Sequence, residues 1–148
     1  MIVSSAFSAR VSAAGLASAS AASTGALRSG RGPYAAMNAV TRCLSPDASA
    51  QETPSIRYTA LGATIRMGSA VFWGVLFEAL CGRRSRPARI VSAAAATALI
   101  AYVFDYHVVP KRFTPGFETH LSKRSLAMTY VALSSGFAIA ALARRASR

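Results

Sequence analysis

Long apolar runs separated by clusters of arginine and lysine organise this chain. The clearest covers 125–143, which has no charged residue and is bracketed by Lys123-Arg124 and Arg144-Arg145. A bilayer's hydrocarbon core needs about 20 mostly apolar residues in a helix, because every backbone N–H and C=O must be satisfied within the segment. A second run covers 55–81 and holds Phe72, Trp73 and Phe77. Thr53 can cap it, Pro54 suits its first turn and Gly82 closes it. A third run covers 88–109, from Pro87 through the alanines 93–96 to Pro110, which stops it. The link from Gly82 to Arg89 is short enough to make these two helices antiparallel neighbours. Between 110 and 124, Thr114-Pro115-Gly116 is a type II turn signal, with Phe113 and Phe117 expected at interfacial depth.

The N-terminal segment, 1–27, follows a different pattern. Val11 to Leu27 is almost wholly Ala, Ser and Gly, and small residues recur at four-residue spacing, as in Gly15, Ala19 and Ser23. Such a stripe suits close helix packing, so a weak first span is expected. The alternative is a targeting segment: no acidic residue precedes Asp47, and Arg10, Arg28, Arg31 and Arg42 stand among serines and alanines, as in an organellar transit peptide. Segment 28–54 reads as a loop with a short interfacial helix over 33–45, where Met37, Val40 and Leu44 keep i, i+3, i+7 spacing. The remainder, 55–148, is the transmembrane core. The expected fold is all-α, an integral membrane helical bundle of four transmembrane helices, or three if the N-terminal segment does not span.

Composition agrees. At 53% hydrophobic and 15% charged residues, 148 residues are too apolar for an ordinary soluble domain. The 17 Lys and Arg against 5 Asp and Glu would suggest nucleic acid in a soluble protein. Here the cations stand between apolar runs, which fits anionic lipid headgroups and the positive-inside rule better. The partner expected is therefore the lipid bilayer and not nucleic acid, with self-association into a homo-oligomer left open. Cations divide evenly between the two sides of a four-span arrangement. Only their density in the Gly82–Arg89 hairpin places that hairpin in the cytoplasm. Cys43 and Cys81 match no zinc or C-x-x-C spacing and read as free thiols.

Polar residues at membrane depth carry what chemistry there is. Arg66 lies about three turns inside its span, where an arginine costs about 2.5–3.5 kcal/mol on insertion scales. Asp105 falls at a similar depth on the next helix, so an Arg66–Asp105 ion pair is expected, with snorkelling of Arg66 to the headgroups as the alternative. Arg66, Ala70 and Gly74 share one helix face, and Ala94, Ala98, Ala101 and Asp105 share another. Glu78 lies near the other end of its span, within a turn of Arg83 and level with Arg144 and Arg145. It reads as an interfacial salt bridge, or alternatively as a coupling carboxylate of the kind small multidrug transporters carry. His107 and His120 are weak metal candidates, since their separation matches no H-E-x-x-H or related motif. No G-x-S-x-G, P-loop, Rossmann glycine pattern or C-x-x-C-H is present, so neither a cofactor nor enzymatic activity is expected.

The stretches PYAAMNAVTRCLS (33–45), YTALGATIRMGSAVFWGVLFE (58–78) and DYHVVPKRFTPGFETHLSKRSL (105–126) resemble those of small Ala- and Arg-rich multi-pass inner-membrane proteins of Gram-negative bacteria. The resemblance covers the chain from about residue 30 and assigns no site. It implies a bacterial inner membrane rather than an organelle membrane reached by import. The expected role is non-enzymatic, structural or accessory; the alternative is a small oligomeric transporter or channel subunit with Glu78 as its coupling carboxylate.

Overall fold

The computed structural model describes residues 2–82, 86–110, 114 and 116–147. Within them the chain is all-helical: α1 (Ile2–Arg28), α2 (Ala35–Val40), α3 (Leu61–Cys81), α4 (Pro87–Val103) and α5 (Lys123–Ala146). Single π-helical turns, Ile56–Ala60 and Phe104–Val108, extend α3 backwards and α4 forwards.

Local chemistry sets the ends. Ser55, rather than Thr53, caps the α3 segment. Its hydroxyl accepts from Tyr58 N–H at 3.0 Å, while Thr59 Oγ1 accepts from Ser55 N–H at 3.0 Å, a reciprocal pair that satisfies two donors with no helical acceptor. Gly82, at φ +77°, ends α3 with its N–H on the Glu78 carbonyl. Pro87 opens α4, and Ser122 caps α5 by accepting from Ser125 N–H at 3.2 Å.

Long helices α1, α3, α4 and α5 form a ring in that order, each antiparallel to the next. On α1, Gly15 abuts Met67 and Ala70 of α3, while Ala14 abuts Gly136 of α5 and Gly25 abuts Ser125. Trp73 of α3 meets Phe104 beyond α4 at 5.8 Å, and Tyr102 of α4 meets Tyr130 of α5 at 5.5 Å. Phe77 and Phe137 stack across the centre at 5.0 Å, both fully buried. Buried hydroxyls bond to their own helices: Ser18 to Gly15 O, Thr97 to Ala93 O and Thr129 to Ser125 O.

Among the described residues, three helices are long and apolar enough to cross a membrane: Ile56–Cys81, Pro87–Val108 and Lys123–Ala146. They mark the chain as a membrane protein and lie within a few residues of the three strong runs. The weak first span is not among them. Its 27-residue helix forms and joins the bundle, but Ala, Ser and Gly bring too little apolar area for it to count as a fourth.

Segment 28–54 differs from the expected interfacial helix. All six residues of α2 are buried, while Leu44, assigned to the same apolar stripe, is 64% exposed. Alanines 35, 36 and 39 make the helix thin enough to be enclosed on every side. Phe117, expected at interfacial depth, is fully buried within the protein. Its loop presses onto α2 at Gly116, where φ is +75° and a Cβ would fall 2.7 Å from the Ala39 carbonyl oxygen, so glycine is required on both counts. Phe113 and Pro115 of that turn, and Arg83 and Arg84 of the arginine hairpin, lie outside the described residues.

Candidate functional site

Arg66 is 3% exposed, and its helix α3 holds it against the end of α4, the middle of α5 and the 117–119 turn. The expected ion pair with Asp105 does not form. Tyr130 donates instead to Asp105 Oδ2 at 2.7 Å, and the Arg66 guanidinium lies over the Phe117 ring, 5.4 Å from its centroid. Asp105, Tyr106 and Tyr130 remain the charges and dipoles that Arg66 feels. Asp105 stands in the π turn at 104–108 and its carboxylate is held by α5 through Tyr130, while the Arg66 cation is buried without an ion pair. In exchange the cation gains a desolvated ring face, worth about 2 kcal/mol. Arg66 Nε and Nη2 and the Tyr106 hydroxyl make no hydrogen bond. Tyr106 instead packs edge-on to Tyr130, and Tyr102 stands 5.5 Å from Tyr106 and 5.7 Å from His107. Snorkelling does not describe this arginine, which points into the bundle.

Glu78 has a partner that sequence reasoning missed. Arg10 of α1 donates to Glu78 Oε1, both side chains being partly buried. The antiparallel fit of α1 on α3 sets this pair, the same fit that brings Val11 onto Gly74 and Gly15 onto Ala70.

At the end of the bundle shared by the α1 C-terminus and the α5 N-terminus, the segment from 29 to 55 and the 114–122 loop form a polar cap. Asn38 is its hub. Though fully buried, it donates through Nδ2 to the carbonyls of Gln51 at 2.8 Å and Thr53 at 3.0 Å, and its Oδ1 accepts from the Thr59 hydroxyl at 2.6 Å. Arg31 pairs with Glu52 at 3.0 Å and Arg42 with Glu118 at 3.0 Å, while Tyr58 donates to Asp47 at 2.5 Å. The Tyr58 hydroxyl holds the Asp47 carboxyl below its ordinary value, and the Gly32 N–H followed by Arg31 does the same for Glu52.

His107 and His120 have separate surroundings. His107 is exposed beside Tyr102, whereas His120 is buried near Arg31, Glu52 and Glu118 with neither ring nitrogen in a hydrogen bond. Burial first, then Arg31, pulls His120 below its ordinary value. No group of three His, Cys, Asp or Glu among the described residues could hold a metal ion. Among the described residues neither Cys43 nor Cys81 is in a disulfide.

These features define an all-helical membrane protein whose polar side chains tie helices and cap together. No protein-family model, curated protein or solved structure matches the chain.

Proposed function

We propose that this chain is a non-enzymatic structural or accessory protein of a bacterial inner membrane, a bundle of four membrane helices in which α1 crosses alongside the three apolar ones. One observation carries the reading. Each of the five carboxylates in the chain is held by a residue of another segment: Asp47 by Tyr58, Glu52 by Arg31, Glu78 by Arg10, Asp105 by Tyr130 and Glu118 by Arg42. A coupling carboxylate has to exchange a proton or cation with a water-filled cavity. A carboxylate that bridges two helices instead supports a role in holding them. The surplus of cations, +12 in net charge, then faces anionic headgroups.

Glu78 separates this reading from a transporter subunit. With Glu78→Gln, Arg10 loses its charged partner, and the expected cost is about 1–2 kcal/mol of stability in detergent, discounted from the fully buried case because both side chains are partly exposed. Reversing the pair, Arg10→Glu with Glu78→Arg, should recover most of it. Unchanged stability in Glu78→Gln, combined with loss of a proton- or cation-driven flux that the wild-type protein supports in proteoliposomes, would favour the coupling role instead.

A further inference from the structure

Along the outer side of the α1–α5 contact runs a groove of about 860 Å³, open to the surroundings of the bundle. Its shape follows from sequence. Ala13, Ala17 and Ala21 stand one above another on α1, and α5, which comes closest at Gly136, lines the other wall with Met128, Val131 and Ile139, which are 51%, 52% and 66% exposed. From Ala13 to Arg28 the α1 wall is about 22 Å long at 1.5 Å per residue. One leaflet with its headgroup region measures about 20–22 Å.

The groove is charged at one end only. Arg28, in the last turn of α1, and Arg124, in the first turn of α5, both line it there, with the hydroxyls of Ser122 and Ser125 beside them. Both arginines are exposed, and among the described residues neither forms an ion pair, the carboxylates being held by Tyr58, Arg31, Arg10, Tyr130 and Arg42. The Ser122 hydroxyl donates to Ser125 Oγ at 3.1 Å, which leaves the Ser125 hydroxyl proton to face outward. Two guanidinium groups and that hydroxyl, at the head of a mostly apolar trough one leaflet long, have the donor set for a phosphate and the wall for an acyl chain.

We infer that this groove is a binding site for one anionic phospholipid, its phosphate on Arg28 and Arg124 and an acyl chain laid between α1 and α5. The site rests on the reading that α1 shares the membrane with α5. A second copy is a poorer occupant, because a two-fold pairing of this face would set Arg28 and Arg124 against their own kind.

The test is native mass spectrometry of the full-length protein in neutral detergent, titrated with dioleoyl phosphatidylglycerol or dioleoyl phosphatidylcholine. One phosphatidylglycerol should bind in preference to phosphatidylcholine. Its affinity should fall about fivefold for either Arg28→Gln or Arg124→Gln and about thirtyfold for both, at about 1 kcal/mol per cation. Ala17→Leu should weaken binding by filling the trough, while Arg86→Gln with Arg89→Gln, at the far end of the bundle, should leave it unchanged. Equal affinity for the two lipids, equal loss from the far-end pair, no loss from the near pair, or a dimer that excludes lipid would each overturn the site. A disulfide between Gly25→Cys and Ser125→Cys, in a Cys43→Ser, Cys81→Ala background, reports helix docking independently: a Cβ on Gly25 would lie 2.9 Å from Ser125 Cβ, so a parting of the two helices by about 1 Å brings the pair to the roughly 3.5–4.5 Å that a disulfide spans. A disulfide without lipid selectivity defeats the lipid site alone. Its absence defeats both the site and the α1–α5 packing beneath it.

Discussion

His120 is buried within the electrostatic reach of Arg31, Glu52 and Glu118, and burial outweighs the two carboxylates in setting its protonation. Because its folded value is depressed, the unfolded chain binds a proton first as pH falls through about 6.5. Stability is therefore fully present above that pH and lost as pH drops towards the folded value. Asp47 and Glu52 are shifted in the same direction, but from 3.8 and 4.5, so their stabilisation is lost only in stronger acid. We expect the thermal midpoint of the purified protein to fall between pH 7 and 5, and His120→Leu to flatten that slope. An unaltered slope in the variant would assign the loss elsewhere. At this scale the sequence was only half legible. It marked Arg66, Asp105, Glu78 and His120 as unusual, since a charge or a histidine in or beside an apolar run stands out. It did not give their partners. Tyr130 lies inside the uncharged run 125–143 and Arg10 inside the ambiguous N-terminal segment, so depth alone matched Arg66 with Asp105 and left both true partners unnoticed. Asn38 gave one overlooked signal, a lone amide in an alanine-rich helix, the residue type that closes a cap by bonding several carbonyls at once.

Among the elements, α1 shows how a helix too weakly apolar to qualify as a span still finds a place. Its buried positions, Val11, Ala14, Ser18, Ala22 and Ala26, keep helical spacing, and their small size brings backbone onto backbone. Gly136 marks the closest point: a Cβ there would fall 2.4 Å from Ala14 Cα and 2.7 Å from Ala14 N, atoms that cannot move without shifting α1. Gly136→Ala should therefore cost about 1–3 kcal/mol as overpacking, read from thermal unfolding in detergent. Gly68→Ala on α3, where a Cβ would meet nothing within 4 Å, should be neutral or stabilising by up to about 1 kcal/mol. Similar losses from the two would mean that α1 does not dock on α5 this closely. The three strong spans were legible because about twenty mostly apolar residues have few alternatives to a membrane helix, even with Arg66 and Glu78 inside one and Asp105 inside another. The small-residue spacing of α1 was legible too, as a packing surface. What periodicity could not convey was α2, whose stripe of Met37, Val40 and Leu44 suggested one wet face: a helix of alanines can be buried all round, and the pattern of large residues does not register it.

For the whole molecule, the antiparallel ring divides the charge between two ends. One end holds the cap with Arg31, Arg42, Glu52 and Glu118; the other holds Glu78 with Arg10, and Arg86, Arg89, Arg144 and Arg145. Cation counts alone do not orient such a molecule, since both ends are basic, and only the crowding of arginines between α3 and α4 argues for placing that end in the cytoplasm. Orientation and span number can be read together from exposed positions. Cys81 is buried and unsuited to labelling, so cysteines are better introduced at Ser5, Ala50 and Ser147, with Cys43→Ser and Cys81→Ala as background. Three crossings separate Ala50 from Ser147, and a crossing α1 returns Ser5 to the side of Ser147. A membrane-impermeant maleimide added to intact bacterial cells should therefore label Ala50→Cys, while Ser5→Cys and Ser147→Cys should react only after permeabilisation. Labelling of Ser5→Cys together with Ala50→Cys would remove α1 from the membrane while leaving the three apolar spans in place. A reversal of all three would keep the four-helix arrangement and turn it over, placing the polar cap and the Arg28–Arg124 end of the groove in the cytoplasm.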